Sequence, residues 1–174
     1  MTEQKLWCAD MNISKTEQYS LACKVYNELK KTGKTLATAE SCTGGLIGAT
    51  LTAVPGVSEC YGFGVVTYAN EAKEKLLGVS HYTLETVGAV SPETAKEMAE
   101  GALKLSGSDI AVAVTGIAGP GGGTAEKPVG LVYIGVAVKG KEPKAIKNIF
   151  DGDRDGVRAS TVKKALELVL EELQ

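Results

Sequence analysis

A chain of 174 residues has the length of one domain, and 44% hydrophobic with 23% charged residues is the composition of a globular protein, not of a disordered one. Lys+Arg 19 against Asp+Glu 21 leaves a net charge of −2, with no positive surplus for sequence-blind contact with a phosphate backbone, so nucleic acid is not an expected partner. No apolar run approaches the roughly 20 residues of a membrane span, and MTEQKLWCADMNISK lacks the basic start and apolar stretch of a signal peptide, so no membrane partner and a cytoplasmic location are expected.

Residues 1–14 carry no clear period and are predicted as an irregular lead-in to a single domain over 15–174. From Lys15 to Lys31 the apolar positions Leu21, Ala22, Val25, Tyr26 and Leu29 recur at helical spacing, with Gly33 as a stop. TLATA (35–39) predicts a short strand. Leu46 to Val54 predicts a helix reached through two glycines and ended before Pro55. YGFGVVTY (61–68) reads as a strand, and Asn70 as the cap of a short helix ending near Gly78. The stretch around His81 reads as a connection. Ser91 followed by Pro92 starts a helix that runs to about Ser106.

DIAVAVT (109–115) is a continuous apolar run of the kind a buried central strand carries. GLVYIGVAV and KAIKNIF predict two more strands in a hairpin across Lys139–Pro143, and a helix from about Asp155 closes the chain. This order fits an α/β fold, a single three-layer α/β/α domain with a mixed sheet. Between Thr115 and Gly130, TGIAGPGGGTAEKPVG is too rich in glycine for either element and too long for a tight turn. Following a buried strand, it falls at the carboxyl edge of the sheet, where α/β folds bind ligands. A plain connection is the alternative.

Scarce residues narrow the chemistry. His81 is the only histidine, which excludes a zinc site built on two or more of them. Cys8, Cys23, Cys42 and Cys60 form no C-x-x-C pair and are expected as free thiols. No metal and no cofactor is expected. Arginine occurs only at Arg154 and Arg158, the two candidates for forked recognition of a phosphate or carboxylate.

TAESCTGG (38–45) lies where a strand gives way to a helix. Such a turn presents one side chain at the sheet edge and aims the free N–H groups of the next helix at the same point. Ser41 is thereby placed as a nucleophile, with N–H groups near Thr43, Gly44 and Gly45 as donors to an oxyanion or phosphate. A helix N-cap role for Ser41 or Thr43 fits the spacing equally. Cys42 is a rival nucleophile, but consecutive side chains at a strand end diverge and only one can face a ligand. No pattern ties His81 to Ser41. Lys73 is the better base, because the helix start and partial burial both disfavour its ammonium; a plain surface lysine is the alternative. Tyr68 could orient either partner or simply pack. In GDRDGVR, Arg154 fits an anion clamp and a solvated capping turn alike.

TLATAESCTGG, VVTYANEAKEKLLGV, GAVSPETAKEMAEGAL, VTGIAGPGGGTAEKPVGLVYIGV and GDRDGVR, in this order and spacing over about residues 20–172, resemble the CinA C-terminal-domain family. The resemblance implies a five-stranded mixed sheet and an amidohydrolase that converts nicotinamide mononucleotide and water to nicotinate mononucleotide and ammonia. It implies a serine–lysine dyad at Ser41 and Lys73, with Tyr68 beside them. Thr43, Gly44, Gly45 and Asn70 are then expected to bind substrate, as are Thr115, Gly116, Gly119, Gly121, Gly122 and Arg154. The expected partners are this small nucleotide and further copies of the chain in a homo-oligomer. Many relatives read HGAVS where this chain has VGAVS, so no histidine role passes to Val87. The family's link to competence and DNA-damage responses leaves a non-catalytic nucleotide-binding regulatory module as the alternative.

Overall fold

The computed structural model describes residues 16–174; the predicted lead-in over 1–14 lies outside them. Five strands, β1 (Leu36–Glu40), β2 (Tyr61–Val66), β3 (Ile110–Gly116), β4 (Leu131–Val138) and β5 (Lys144–Ile149), form one sheet in the order β2-β1-β3-β4-β5. β2, β1 and β3 run parallel, whereas β4 and β5 are antiparallel to their neighbours, as the predicted hairpin requires. Among the described residues six α-helices accompany them: α1 (Glu17–Thr32), α2 (Leu46–Thr52), α3 (Asn70–Leu77), α4 (His81–Thr86), α5 (Pro92–Ser106) and α6 (Arg154–Leu173).

Side chains alternate across a strand, and here the alternation separates two unlike faces. Leu36, Ile110, Val112, Val114, Val132, Ile134 and Val136 point one way, into a core closed by α1, α2 and α6. Ala37, Ala39, Ala111, Ala113 and Ala137 point the other way, beneath Met98, Ala99 and Ala102 of α5 and Leu77 of α3. Large branched residues hold the first layer off the sheet, and alanines let the second come close. A Cβ on Gly135 of β4 would collide with the Ala95 carbonyl of α5. One on Gly101 of α5 would collide with the Leu77 carbonyl at the end of α3.

Local signals fix the helix ends. Ser91 accepts from the Thr94 N–H ahead of Pro92, and Asp153 accepts from the Gly156 N–H at the start of α6. Two expectations need correction. Asn70 is the first residue of α3 and not its cap; the cap is Ala69, with no side-chain bond. The stretch around His81 is helical, because Leu84 and Thr83 are buried under α5 and Glu97 bonds both the Ser80 N–H and the Thr83 hydroxyl. Among the described residues no helix is long and apolar enough to cross a membrane.

Candidate active site

β1 ends at Glu40, and the chain turns through Ser41–Gly45 into α2. Gly44 and Gly45 take φ of 62° and 98°, left-handed values that permit so sharp a turn. Strand alternation carries through it: Cys42 joins the branched-face core, and Ser41 falls on the alanine face with α3. Ser41 is 8% exposed. Burial pushes the Cys42 thiol up to about 11, so the thiolate that would make it a nucleophile is suppressed near neutral pH.

Lys73 is 1% exposed, one of the largest side chains buried in the molecule. It occupies the inward stripe of α3 one turn before Leu77. Its Nζ lies 3.2 Å from Ser41 Oγ, 2.9 Å from Thr67 O and 3.1 Å from Tyr68 O. Among the described residues no carboxylate pairs with it, and desolvation lowers its pKa from the ordinary lysine value. A neutral amine has two N–H donors and one lone pair. As an ammonium Nζ donates to all three oxygens; in the neutral form the two carbonyls can take both donors, which leaves the lone pair for the Ser41 hydroxyl.

Glu40 was missed by sequence reasoning. It is 1% exposed, and its carboxylate accepts from Thr43 Oγ1 (2.6 Å) and from the N–H groups of Gly45, Ile47 and Gly48 (3.1, 3.0 and 2.8 Å). The Gly44 N–H donates to Ser41 O at 3.0 Å. The expectation that Thr43, Gly44 and Gly45 offer donors at the helix start is therefore corrected for the glycine N–H groups and the Thr43 hydroxyl. The chain fills its own anion site there. The Ser41 N–H donates to Val114 O and the Leu46 N–H to Thr43 O, and the Cys42 N–H lies against its own thiol; the Thr43 N–H is directed neither at Glu40 nor at Ser41 O. No signal in AESCTGG separates Glu40 from a solvated strand end.

The other candidates fall into two groups. Thr115 is buried and its hydroxyl donates to Ala89 O at 2.7 Å, and at Gly116, the last residue of β3, a Cβ would collide with the Leu131 carbonyl and Val132. Asn70 is exposed at the start of α3. Tyr68 is 60% exposed, and its hydroxyl accepts from Arg154 Nη2 at 3.3 Å. Arg154 Nη1 donates to Gly119 O at 2.8 Å, and Gly121 and Gly122 lie exposed beyond it. The long loop is thus joined to Ser41 through Arg154, Tyr68 and Lys73. It is also tied down at its far side, where Lys127 Nζ donates to Val87 O at 2.6 Å and Thr124 N to Lys127 O at 2.8 Å. The second arginine, Arg158, donates to Thr43 O at 3.0 Å and braces the turn from α6.

A buried serine facing a buried lysine at the carboxyl edge of a mixed sheet is the arrangement, and the fold is α/β. The sequence profile of the CinA C-terminal domain matches residues 18–173, and the chain belongs to that family. A CinA-like protein of Endomicrobium trichonymphae is 53% identical over 162 residues, 93% of this chain and 38% of that protein. A CinA-like protein of Kosmotoga olearia is 53% identical over 146 residues, 83% of this chain and 35% of that protein. The chain spans about a third of the length of the curated relatives it matches. Among solved structures, the competence/damage inducible protein CihA from Agrobacterium tumefaciens superposes with a TM-score of 0.89 at 45% identity, covering 91% of this chain and 97% of that one. A CinA superfamily protein from Escherichia coli gives 0.85 at 35% identity, covering 93% and 98%.

Proposed function

We propose that the chain is an amidohydrolase that converts nicotinamide mononucleotide to nicotinate mononucleotide and ammonia, with Ser41 as nucleophile and Lys73 as base and acid. The observation that carries this reading is the 3.2 Å approach of Lys73 Nζ to Ser41 Oγ, with both remaining lysine donors held by carbonyls. Lys73 accepts the Ser41 proton as Oγ bonds to the carboxamide carbon. The oxyanion is met by the Thr43 N–H group. Lys73 then gives its proton to the nitrogen, the C–N bond breaks, and ammonia leaves an acyl-enzyme. Water attacks that carbon, passes a proton to Lys73, and Lys73 returns it to Ser41 Oγ as the ester bond breaks.

Nothing at Ser41 and Lys73 distinguishes the nucleotide from free nicotinamide, because the scissile group is the same. Discrimination belongs to the ribose and phosphate, for which Arg154 and the exposed Gly121–Gly122 stretch are the available groups. The test is direct. The purified chain is incubated with nicotinamide mononucleotide, and ammonia and the acid product are measured together in equal amounts. A wild-type chain that releases no ammonia, or a Ser41→Ala variant that releases as much as wild type, overturns the assignment.

A further inference from the structure

Across the carboxyl edge, β2 and β1 are in register up to Val66 opposite Glu40, and Thr67 and Ser41 are the residues that follow each strand. Phe63, Val65 and then Thr67 alternate on the alanine face, as do Ala37, Ala39 and then Ser41. Thr67 therefore presents its side chain on the face where Ser41 meets Lys73. Its backbone is fixed on both sides: Thr67 N donates to Glu40 O at 2.9 Å, and its carbonyl accepts from Lys73 Nζ. Yet its hydroxyl is the one buried side-chain polar atom among the described residues with no hydrogen-bond partner, on a residue 0% exposed. Leaving a buried hydroxyl unpaired is costly, and such groups are uncommon in folded chains.

We propose that the Thr67 hydroxyl contacts the leaving nitrogen of the amide and, after ammonia departs, the water that takes its place. The proposal rests on the amidase reading above and assigns the leaving-group position within it. Lys73 must hand a proton to the nitrogen in the first half-reaction and take one from water in the second, so both occupy the same position beside Nζ. Lys73 as a whole is as enclosed as Thr67, 1% and 0% exposed. The approach that brings the carboxamide nitrogen to the amine brings it to the residue whose carbonyl holds that amine. An attacking water has two hydrogens to place while a lone pair points at the acyl carbon. Neutral Lys73 accepts one, and Thr67 Oγ1 accepts the other. In the forward step the same oxygen accepts from the amide –NH2. The oxyanion needs a donor and finds it in the main chain, so it makes no claim on this hydroxyl.

The experiment compares wild type, Thr67→Val and Thr67→Ser for kcat and KM with nicotinamide mononucleotide and for thermal midpoint. Valine keeps the branched shape and removes only the hydroxyl. The expected result is a fall in kcat of about tenfold to a hundredfold for Thr67→Val, the scale of one hydrogen bond at the reacting centre. KM should stay within about threefold, the midpoint should be unchanged or higher, and Thr67→Ser should recover most of kcat. A Thr67→Val kcat within twofold of wild type overturns the proposal while leaving the amidase reading intact. So does a lowered midpoint with no recovery in Thr67→Ser, which marks a purely structural residue. A wild-type chain without activity removes the amidase reading and this assignment with it.

Discussion

On the α2 side of the sheet edge Glu40 is met by four donors, whereas on the α3 side Lys73, buried to the same degree, is met by two carbonyls and a hydroxyl and, among the described residues, by no carboxylate. Both sites are desolvated, so burial alone does not decide what becomes of a charge. Glu40 sits at the start of α2, where main-chain N–H groups and the helix dipole favour an anion. Lys73 sits within an α-helix stripe among groups that accept from an amine but bring no negative charge. The outcome is a turn locked by its own carboxylate and, next to it, an amine whose ammonium is disfavoured. The first holds Ser41 in place; the second is suited to take its proton.

The largest expected effect is at Ser41. Ser41→Ala should lower ammonia release by about a thousandfold or more, while Cys42→Ala retains most of it, because only Ser41 lies on the lysine side of the turn. Inactivation by alkylation of Cys42 with an active Ser41→Ala would reverse the roles of the two neighbours. Next in size is Lys73→Arg, which should fail like Lys73→Ala, by about a hundredfold or more, since a guanidinium keeps the charge and cannot serve as a base. A fully active arginine variant would show that only positive charge is needed.

Stability should separate the two buried groups. Glu40→Ala leaves three helix-start N–H groups without their acceptor and should cost about 3 kcal/mol or more in chemical denaturation. Lys73→Met leaves the Thr67 and Tyr68 carbonyls without that donor but also removes a costly buried amine, so it should cost less than Glu40→Ala, about 1–2 kcal/mol. Equal losses would erase the contrast. A smaller effect tracks pH. Burial lowers the folded-state pKa of Lys73 below the roughly 10.4 of an unfolded lysine, so between the two values the unfolded chain binds the extra proton. Stability contributed through Lys73 therefore rises with pH across that window. The pH-dependent part of the stability difference between Lys73→Met and wild type should favour the variant most below the lowered value and vanish above about pH 10.4. Activity should fall on the acid side as Lys73 becomes protonated.

Arg154→Ala tests the exposed end of the same chain of contacts. It should reduce turnover of the nucleotide by about tenfold and leave any residual hydrolysis of free nicotinamide nearly unchanged, in side-by-side kinetics. Equal losses on both substrates would place Arg154 in support of Tyr68 and not at the nucleotide.

Much of the frame was legible because it is local. DIAVAVT and GLVYIGVAV carry their strands in their composition, and Ser91-Pro92 and Gly33 mark helix ends that the structure keeps. α4 was not legible: its six residues include no side-chain cap bond, and the bonds that hold it come from Glu97 on another helix. Ser41 and Lys73 were each legible only as one reading among others, a turn serine that could be a cap and a lysine that could be solvated, and the family resemblance joined them into one dyad. The lysine's one local sign is the i, i+4 relation to buried Leu77. Glu40 left no sign, because three of its four donors are main-chain groups that any sequence would supply.

The missing side chain at Gly101 reaches further than its own helix. α3 rests on α5 there by the Leu77 carbonyl, one turn from Lys73, with no room for a methyl group. The amine-to-hydroxyl spacing is thus gauged at a contact between two backbones, at the far end of a helix of only eight residues. Even alanine at Gly101 would force α3 and α5 to shift against each other, one turn from Lys73, without altering any group placed at Ser41.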